Sequence, residues 1–384
     1  MILVYLINFL LAVVTTIGMA LIPDIATSSM GMSLLLFGMI EGGSEFASMI
    51  FRFVSGNLFD HMKNKRMLFV VPAFFSFAAK IFLLFPSFIT VFSSKILERM
   101  SNGLFASPRD AFIGQNAKNK GIAFAILNCS KTLGCVLGPL TVSFYVSKMG
   151  TFEKHPENIY TMVIIACVMC AIAVFASFFV DTSRTQFNIK TEALSFDDIK
   201  KSTKAIYPIL ILAFIFFLGR FNDGMIMVYL KKEGFSPEIY FSTIAIFNAI
   251  MFIVSPLIGY MIDKGKEKYM VIVTIASLLA FDVLFYNIDF LPLPFCFLGL
   301  VAWGIQRAGA QITFATMIFK KAPKNLYGTS IGLFSFVSGI GTLAASGICG
   351  NIADNVFEDI FIFTGAASLI SFIVALVLVR RKMI

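Results

Sequence analysis

Acidic and basic side chains recur inside the long apolar runs of this chain, at spacings that place them on one face of a helix. In one run, Glu41, Glu45 and Arg52 stand at positions i, i+4 and i+11. A carboxylate in low-dielectric surroundings tends to hold a proton, whereas a nearby arginine favours the ionised form. A glutamate that gains and loses an arginine partner is therefore a proton switch, so this spacing predicts proton binding.

Similar polar groups stand in later apolar runs, and they divide by the chemistry that each side chain can perform. The candidates for proton binding are Glu41, Glu45, Glu98, Arg99 and Asp223. The candidates for contact with a bound solute are Asn102, Lys131, Arg220, Asn222, Gln306, Arg307 and Gln311. The spacing leaves open which carboxylate would carry the proton.

The runs that carry these residues indicate a membrane protein. Of 384 residues, 58% are hydrophobic and 45 are phenylalanine, and the mean hydropathy is +0.87. A run of roughly 20 apolar residues is long enough to cross a bilayer as a helix. The breaks in the sequence delimit twelve spans, at 3–22, 33–58, 67–85, 88–112, 122–147, 158–180, 206–230, 238–262, 269–288, 292–319, 327–349 and 356–379.

The spans fall into two groups of six. The longest connector, 181–205, is polar and is the expected linker between an N-terminal half, 1–180, and a C-terminal half, 206–384. The predicted fold class is therefore an all-α membrane protein with twelve transmembrane helices in two six-helix halves.

Charges inside a span cost roughly 2.5–3.5 kcal/mol each, so pairing or a functional role is expected for them. Arg52, Arg109 and Asp110 lie near predicted cytoplasmic ends, where structural contacts are the favoured interpretation. Lys80 and Asp282 lie near span ends, and we expect them to reach the membrane surface and to take no part in the site.

The basic residues indicate the orientation in the membrane. With the N-terminus inside, the inner connectors and the C-terminal tail hold 19 Lys and Arg residues, and the outer connectors hold 4. The positive-inside rule then predicts a multi-pass protein of the cell membrane with both termini in the cytoplasm. The net charge of +9 lies mainly in these connectors and does not indicate nucleic-acid binding. The first apolar run lacks a preceding basic residue, so we expect a retained span rather than a signal peptide.

Other classes of chemistry have little support in the sequence. Cys167 and Cys170 spell C-x-x-C, but there is no second pair and the chain has two histidines, so these cysteines are expected to pack as small apolar side chains. No phosphate-binding G-x-x-x-x-G-K-[ST] motif or local nucleophile motif is present. We therefore expect neither a cofactor nor a metal, and no enzymatic activity.

A charged turn, GNLFDHMKNK, recurs 203 residues later in the chain. The equivalent positions are Gly56 and Gly259, Asp60 and Asp263, and Lys65 and Lys268. Both copies resemble the G-x-L-x-D-R-x-G-R-K signature of the major facilitator superfamily, with His61 and Lys63 standing where arginine and glycine are usual. The resemblance implies a gate, in which a charged contact at the cytoplasmic ends of helices forms in one conformation and breaks in the other. The alternative for either copy alone is a solvated, positively charged turn.

Two further stretches are similar to motifs of the same family. In span 4, Arg99 and Asn102 resemble part of R-x-x-Q-G. In span 5, Gly134, Gly138 and Pro139 resemble G-x-x-x-G-P-x-x-G-G, which implies a role in gating and is associated with exporters.

The embedded charges and the resemblance together predict a secondary active transporter, coupled to protons, that moves a small polar or amphipathic solute by alternating access. Export is slightly favoured, and an uptake symporter or a uniporter of the same fold remains an alternative. A multispan membrane enzyme or a non-transporting sensor is the alternative from another class. The expected partners are the solute, protons and the lipid bilayer, and the chain is expected to be a monomer.

Overall fold

The structure, a computed structural model, is built from helices joined by short connectors. It describes residues 1–61, 66–85, 87–116, 120–150, 152, 155, 157–182, 196–322 and 327–381. These residues form no strand and thirteen α-helices: α1 (Ile2–Asp24), α2 (Leu34–His61), α3 (Met67–Phe82), α4 (Phe88–Asn116), α5 (Lys120–Met149), α6 (Glu157–Phe178), α7 (Phe196–Leu218), α8 (Asp223–Lys232), α9 (Pro237–Asp263), α10 (Glu267–Tyr286), α11 (Leu293–Lys321), α12 (Tyr327–Ala353) and α13 (Asp359–Arg380). A π-helical turn, Ile25–Ser29, follows α1.

The helices have the length and composition of membrane spans. Among the described residues, eight helical stretches are long and apolar enough to cross a bilayer, and Met67–Phe82 is apolar but shorter. Large apolar side chains such as Phe144, Phe175 and Ile253 are exposed on the outside of these helices. Such surfaces are stable where lipid covers them. The predicted all-α membrane fold is confirmed.

The seventh predicted span is interrupted, which is why thirteen helices correspond to twelve spans. α7 ends at Leu218 and α8 begins at Asp223, so residues 219–222 are not helical. At this break, a Cβ on Gly219 would lie 3.0 Å from the Ser368 hydroxyl of α13. Non-helical backbone at membrane depth is tolerated only where protein buries it or where it lines a water-filled cavity.

The helices form two compact units. Unit 1 comprises Met1–Ser33, Gly43–Lys190 and Asp223–Ala245, and unit 2 comprises Leu34–Gly42, Thr191–Asn222 and Ile246–Ile384. Each unit therefore contains most of one half of the sequence together with a short segment from the other half.

The same helix pairs recur in both units. In unit 1, α1 packs against α5, and α3 packs against α4 and α6. In unit 2, α7 packs against α12, and α10 packs against α11 and α13. Glycine permits the close contact in the α1–α5 and α7–α12 pairs. A Cβ on Gly134 would lie 2.7 Å from the Phe9 carbonyl oxygen, and a Cβ on Gly341 would lie 3.0 Å from the Phe214 carbonyl oxygen. Gly138 meets α1 in the same way as Gly134.

Polar contacts hold in place the short segments that each unit contains from the other half of the sequence. In unit 1, Lys231 of α8 pairs with Asp24 at the end of α1. In unit 2, the backbone N–H groups of Leu34 and Leu35 donate to the Asp354 carboxylate at 2.6 and 3.0 Å. This carboxylate caps the N-terminus of α2, where the helix dipole favours negative charge. Each contact joins helices that are more than 200 residues apart in sequence.

Candidate functional site

An ion pair joins α2 and α4 in unit 1. Arg99 Nη1 lies 2.8 Å from Glu45 Oε2, and the two side chains are 15% and 32% exposed. Partial exposure gives the Glu45 carboxylate access to water, and Arg99 is its ionic partner. The pair thus has the composition and the access that the predicted proton switch requires.

Glu98 contacts α3 instead of joining this pair. Lys80 Nζ donates to Glu98 Oε2 at 2.7 Å, and both side chains are almost fully buried. Gly18 of α1 leaves room for them, because a Cβ there would lie 2.5 Å from Lys80 Nζ. The expectation that Lys80 extends to the membrane surface is wrong: its ammonium group has a carboxylate partner inside the unit, which offsets the cost of burial.

Arg109 and Asp110 take part in a network that joins three helices. Arg109 donates to Asn8 Oδ1 of α1 at 2.7 Å and to Asp110 Oδ1 at 2.8 Å. Asn8 in turn donates to Ser130 Oγ of α5 at 2.9 Å. Such a network positions helices, which agrees with the structural role expected for Arg109 and Asp110. The remaining candidates of unit 1 are Asn102, half-buried in α4, and Lys131, exposed on α5.

Unit 2 brings the start of α2 to the break between α7 and α8. Asn222 Nδ2 donates to Glu41 Oε2 at 2.9 Å, and Glu41 is 2% exposed. Asn222 is the last residue of the break, and Asp223, also buried, is the first residue of α8. The predicted span 206–230 is therefore not one continuous helix: Arg220 lies in the break, after the end of α7, and Asp223 lies in α8.

Two cationic side chains of unit 2 lie against aromatic rings, and a buried amide is next to one of them in the sequence. The Arg220 guanidinium carbon is 5.7 Å from the centre of the Trp303 ring, and that of Arg307 is 4.9 Å from the Phe247 ring. Both distances are within the range of cation–π attraction. Gln306, next to Arg307 on α11, is fully buried, and neither of its amide atoms has a hydrogen-bond partner among the described residues. Gln311 on the same helix is exposed.

The second charged turn is open to solvent. Asp263 ends α9, Gly265 adopts a φ of 74° that glycine allows, and α10 begins two residues later. Asp263 is exposed and makes no ion pair with a described residue. A Cβ on Gly259 would meet nothing within 4 Å, so close helix contact does not account for this glycine.

An ion pair lies beside this turn. It joins Lys320 of α11 to Glu267 at 2.8 Å, and Lys268 follows Glu267 in the first turn of α10.

In span 5, Pro139 is buried next to Gly138. Arg52, Gly56 and Asp60 lie in the C-terminal part of α2, but the predictions for their side chains, and for Lys65, lie outside what the structure describes.

Asp282, Asn8 and Asp24 are buried polar residues that were not among the sequence-based site candidates. Asp282 of α10 is 1% exposed and contacts two hydroxyls of α13, so the expectation that it reaches the membrane surface is also wrong. Asn8 and Asp24 on α1 acquire partners only in the folded chain. For Asn8 and Asp282 the available signal was an isolated polar residue within a predicted span, where a polar group without a partner is costly.

Comparison with known proteins identifies the family. The family model of the Major Facilitator Superfamily matches residues 4–346. The chain belongs to the Major Facilitator Superfamily. A curated member, the uncharacterised MFS-type transporter MJ1317 of Methanocaldococcus jannaschii, is 25% identical over 371 residues, which are 92% of this chain and 88% of the relative. The family consists of membrane transporters, so this chain is a multi-pass transport protein.

Solved structures of transporters share the fold of the chain. The nucleoside transporter NupG superposes with a TM-score of 0.79 at 13% identity, covering 98% of both chains. A POT family transporter in complex with a thioalcohol-conjugated peptide gives 0.78 at 13% identity, covering 99% of this chain and 95% of the other. A D-xylose-proton symporter gives 0.74 at 13% identity, covering 97% and 96%. At these identities the likeness concerns the fold and not the solute.

Proposed function

We propose that this MFS protein is a proton-coupled secondary active transporter that moves a small polar or amphipathic solute by alternating access. The observation that carries the proposal is the partly exposed Glu45–Arg99 pair within the membrane-spanning helices. While the pair is closed, the Arg99 guanidinium is the ionic partner of the carboxylate. When a bound solute or a conformational change draws Arg99 away, the carboxylate loses its ionic partner and takes up a proton. Glu41, which accepts from Asn222, and Asp223 are the next candidates for the proton.

The residues proposed to contact the solute combine charge with aromatic surface. Arg220 and Arg307 offer hydrogen-bond donors beside Trp303 and Phe247, and Gln306 offers a buried amide without a partner among the described residues. Sites with large apolar surfaces and a few well-placed polar groups suit amphipathic small molecules. By their names, the neighbours are a nucleoside transporter, a transporter in complex with a conjugated peptide, and a symporter of D-xylose and protons. These solutes support a small solute for this chain.

Alternating access is supported by the contacts that join helices from the two halves of the sequence, 1–180 and 206–384. The Lys231–Asp24 pair and the Asp354 cap on α2 are polar contacts, and each involves only a few atoms. They are therefore able to break and re-form. We propose that they close the outer face while the charged turns, on the opposite side, act at the cytoplasmic face. The 181–205 linker and both termini are cytoplasmic in this proposal, in the cell membrane, with the chain a monomer. Labelling of a cysteine at position 190 by an impermeant outside reagent would contradict this orientation.

The similarity of span 5 to an exporter motif gives export a slight preference, with uptake symport or uniport by the same machinery as the second candidate. The test uses purified protein in liposomes that contain a pH-sensitive dye. Nucleosides, peptides, sugars, organic ions and amphipathic drugs are added in turn, with the pH equal on both sides. A solute that is transported with protons changes the internal pH and, in a parallel assay, accumulates when a pH gradient is imposed. Solute flux without proton movement would indicate a uniporter, and proton coupling would then be rejected.

Gln306 provides a test of the solute contacts. Gln306→Met is expected to raise thermal stability, because a buried amide without partners costs about 1–3 kcal/mol. The same change should weaken solute binding by about tenfold, since a loss of about 1.4 kcal/mol corresponds to that factor. Gln311→Met is the matched control: its amide is exposed, and its loss should leave stability almost unchanged. If Gln306→Met stabilises the protein but leaves the KM for the solute at the wild-type value, Gln306 does not bind solute.

The exposed Asp263 allows the gate to be tested without a folding defect. Asp263→Asn should leave the Tm unchanged, because surface substitutions without partners alter stability little. Transport should nevertheless slow, since the charged contact that Asp263 makes in the opposite conformation would be lost. Asp359→Asn, an exposed acid at the start of α13, is the control and should transport normally. Wild-type flux in Asp263→Asn would leave the turn with no role beyond solvation and orientation.

A further inference from the structure

Asp282 is a buried carboxyl group outside the proposed coupling and solute contacts. It lies on α10, four residues before the helix ends at Tyr286, and 1% of its surface is exposed. Its Oδ1 lies 2.8 Å from Thr364 Oγ1, and its Oδ2 lies 2.9 Å from Ser368 Oγ, both on α13. Among the described residues, no basic side chain pairs with it.

The charged and titratable groups on the surrounding helices do not compensate a negative charge there. α12 contributes the thiol of Cys349. The basic groups are Arg307 on α11 and Arg220, which follows the end of α7. Both guanidinium groups lie over aromatic rings and do not pair with Asp282. Glu267, on α10 itself, is at the other end of the helix. An ionised Asp282 would therefore be a lone charge in the interior of a membrane-spanning bundle, which is strongly unfavourable.

The hydroxyl of Thr364 indicates how this cost is avoided. It carries one proton and has two possible acceptors, Asp282 Oδ1 at 2.8 Å and the Ile360 carbonyl oxygen at 3.0 Å. Threonine hydroxyls in helices commonly donate to the carbonyl oxygen one turn earlier. With that bond made, the contact with Oδ1 requires a proton from the carboxyl group. A carboxylic acid that donates to Thr364 and accepts from Ser368 satisfies all these polar atoms without burying a charge.

We infer that Asp282 is a resident proton-binding site of unit 2, a neutral carboxylic acid that fastens α10 to α13. The site also adjoins the break of the seventh span, since Ser368 approaches Gly219 there. The equivalent third helix of unit 1 carries Lys80, about 200 positions earlier, and there the buried group is satisfied by an ion pair with Glu98. The two units thus solve the same burial problem in two ways. The inference does not depend on the proposed transport function.

Infrared spectroscopy of the purified full-length protein tests the protonation directly. A protonated carboxyl group has a carbonyl stretching band that a carboxylate lacks. Asp282→Asn, which keeps one donor and one acceptor, should remove one such band at neutral pH. Asp359→Asn, at an exposed acid of α13, should remove none. Ser368→Ala should retain the band, because the carboxyl group remains protonated. The band should move to higher frequency, because the carbonyl oxygen loses a hydrogen bond. This variant keeps the test valid if Asp282→Asn fails to fold.

The pH dependence of stability provides a second readout. Folding takes up a proton that an unfolded aspartate releases above about pH 4, so wild-type stability should fall as the pH rises. The asparagine variant has no such proton. Its Tm should exceed that of the wild type by a margin that widens between about pH 5 and pH 8, by up to about 3 °C per pH unit. An unchanged margin together with no lost infrared band would overturn the inference. A wild-type Tm that rises with sodium at fixed pH, absent in Asp282→Asn, would also overturn it in favour of a bound cation.

Discussion

Glu45→Gln is expected to abolish solute accumulation driven by a pH gradient while leaving solute exchange intact. Across a gradient of one pH unit, one coupled proton supplies about 1.4 kcal/mol, which supports about tenfold accumulation. Glutamine keeps the size of the side chain and a hydrogen-bond acceptor for Arg99 but cannot take up a proton. Accumulation should therefore fall to the equilibrium level. Counterflow, in which external labelled solute exchanges with internal unlabelled solute, needs no net proton movement and should continue.

The comparison of the two assays in the same proteoliposomes separates proton coupling from solute binding. A residue that only binds solute would lose both activities together when replaced. Glu41→Gln serves as the parallel variant, because Glu41 is on the same helix but accepts from Asn222 instead of an arginine. If Glu45→Gln retains gradient-driven accumulation and Glu41→Gln loses it, the proton is carried at Glu41. If both retain it, coupling through α2 is wrong and Asp223, at the start of α8, is the next residue to replace.

The sequence predicted the fold because membrane helices are specified locally. Length and apolarity determine each span, and lipid removes the need to know long-range packing. The glycines at the α1–α5 and α7–α12 contacts, Gly134 and Gly341, also have a local cause, since a glycine is needed wherever two backbones approach closely. The break at 219–222 was missed because one glycine in an apolar run does not by itself end a helix; the contact with Ser368 is made by a residue far along the chain.

The partners of the embedded charges could be predicted only within a helix. The spacing of Glu41 and Glu45 gave the shared face, but the pairing of Glu45 with Arg99 and of Glu98 with Lys80 depends on how α2, α3 and α4 are rotated. Adjacent residues on α4 point about 100° apart, so Glu98 and Arg99 reach different helices. The position of Lys80 near the end of a span suggested the membrane surface, and only tertiary packing reveals its buried partner.

Lys80→Met is expected to destabilise the protein by about 3–5 kcal/mol, because it leaves the Glu98 carboxylate buried without its cation. The double variant with Glu98→Leu should recover most of the loss, since apolar replacement of a buried ion pair is often neutral or stabilising. Lys320→Met is the matched control. It breaks the Lys320–Glu267 pair, whose lysine is 50% exposed, and should cost no more than about 1 kcal/mol.

The free energy of unfolding can be measured in the same lipid–detergent mixture for the wild type, Lys80→Met, the double variant and Lys320→Met. Transport by the double variant then gives the role of Glu98. Recovery of both stability and gradient-driven accumulation would mean that the pair only holds α3 to α4. Recovery of stability with loss of accumulation but normal counterflow would assign the coupled proton to Glu98 and count against Glu45. A small effect of Lys80→Met, comparable to that of Lys320→Met, would contradict a buried charge at Glu98, because the carboxyl group would then be hydrated or would take up a proton when its cation is removed.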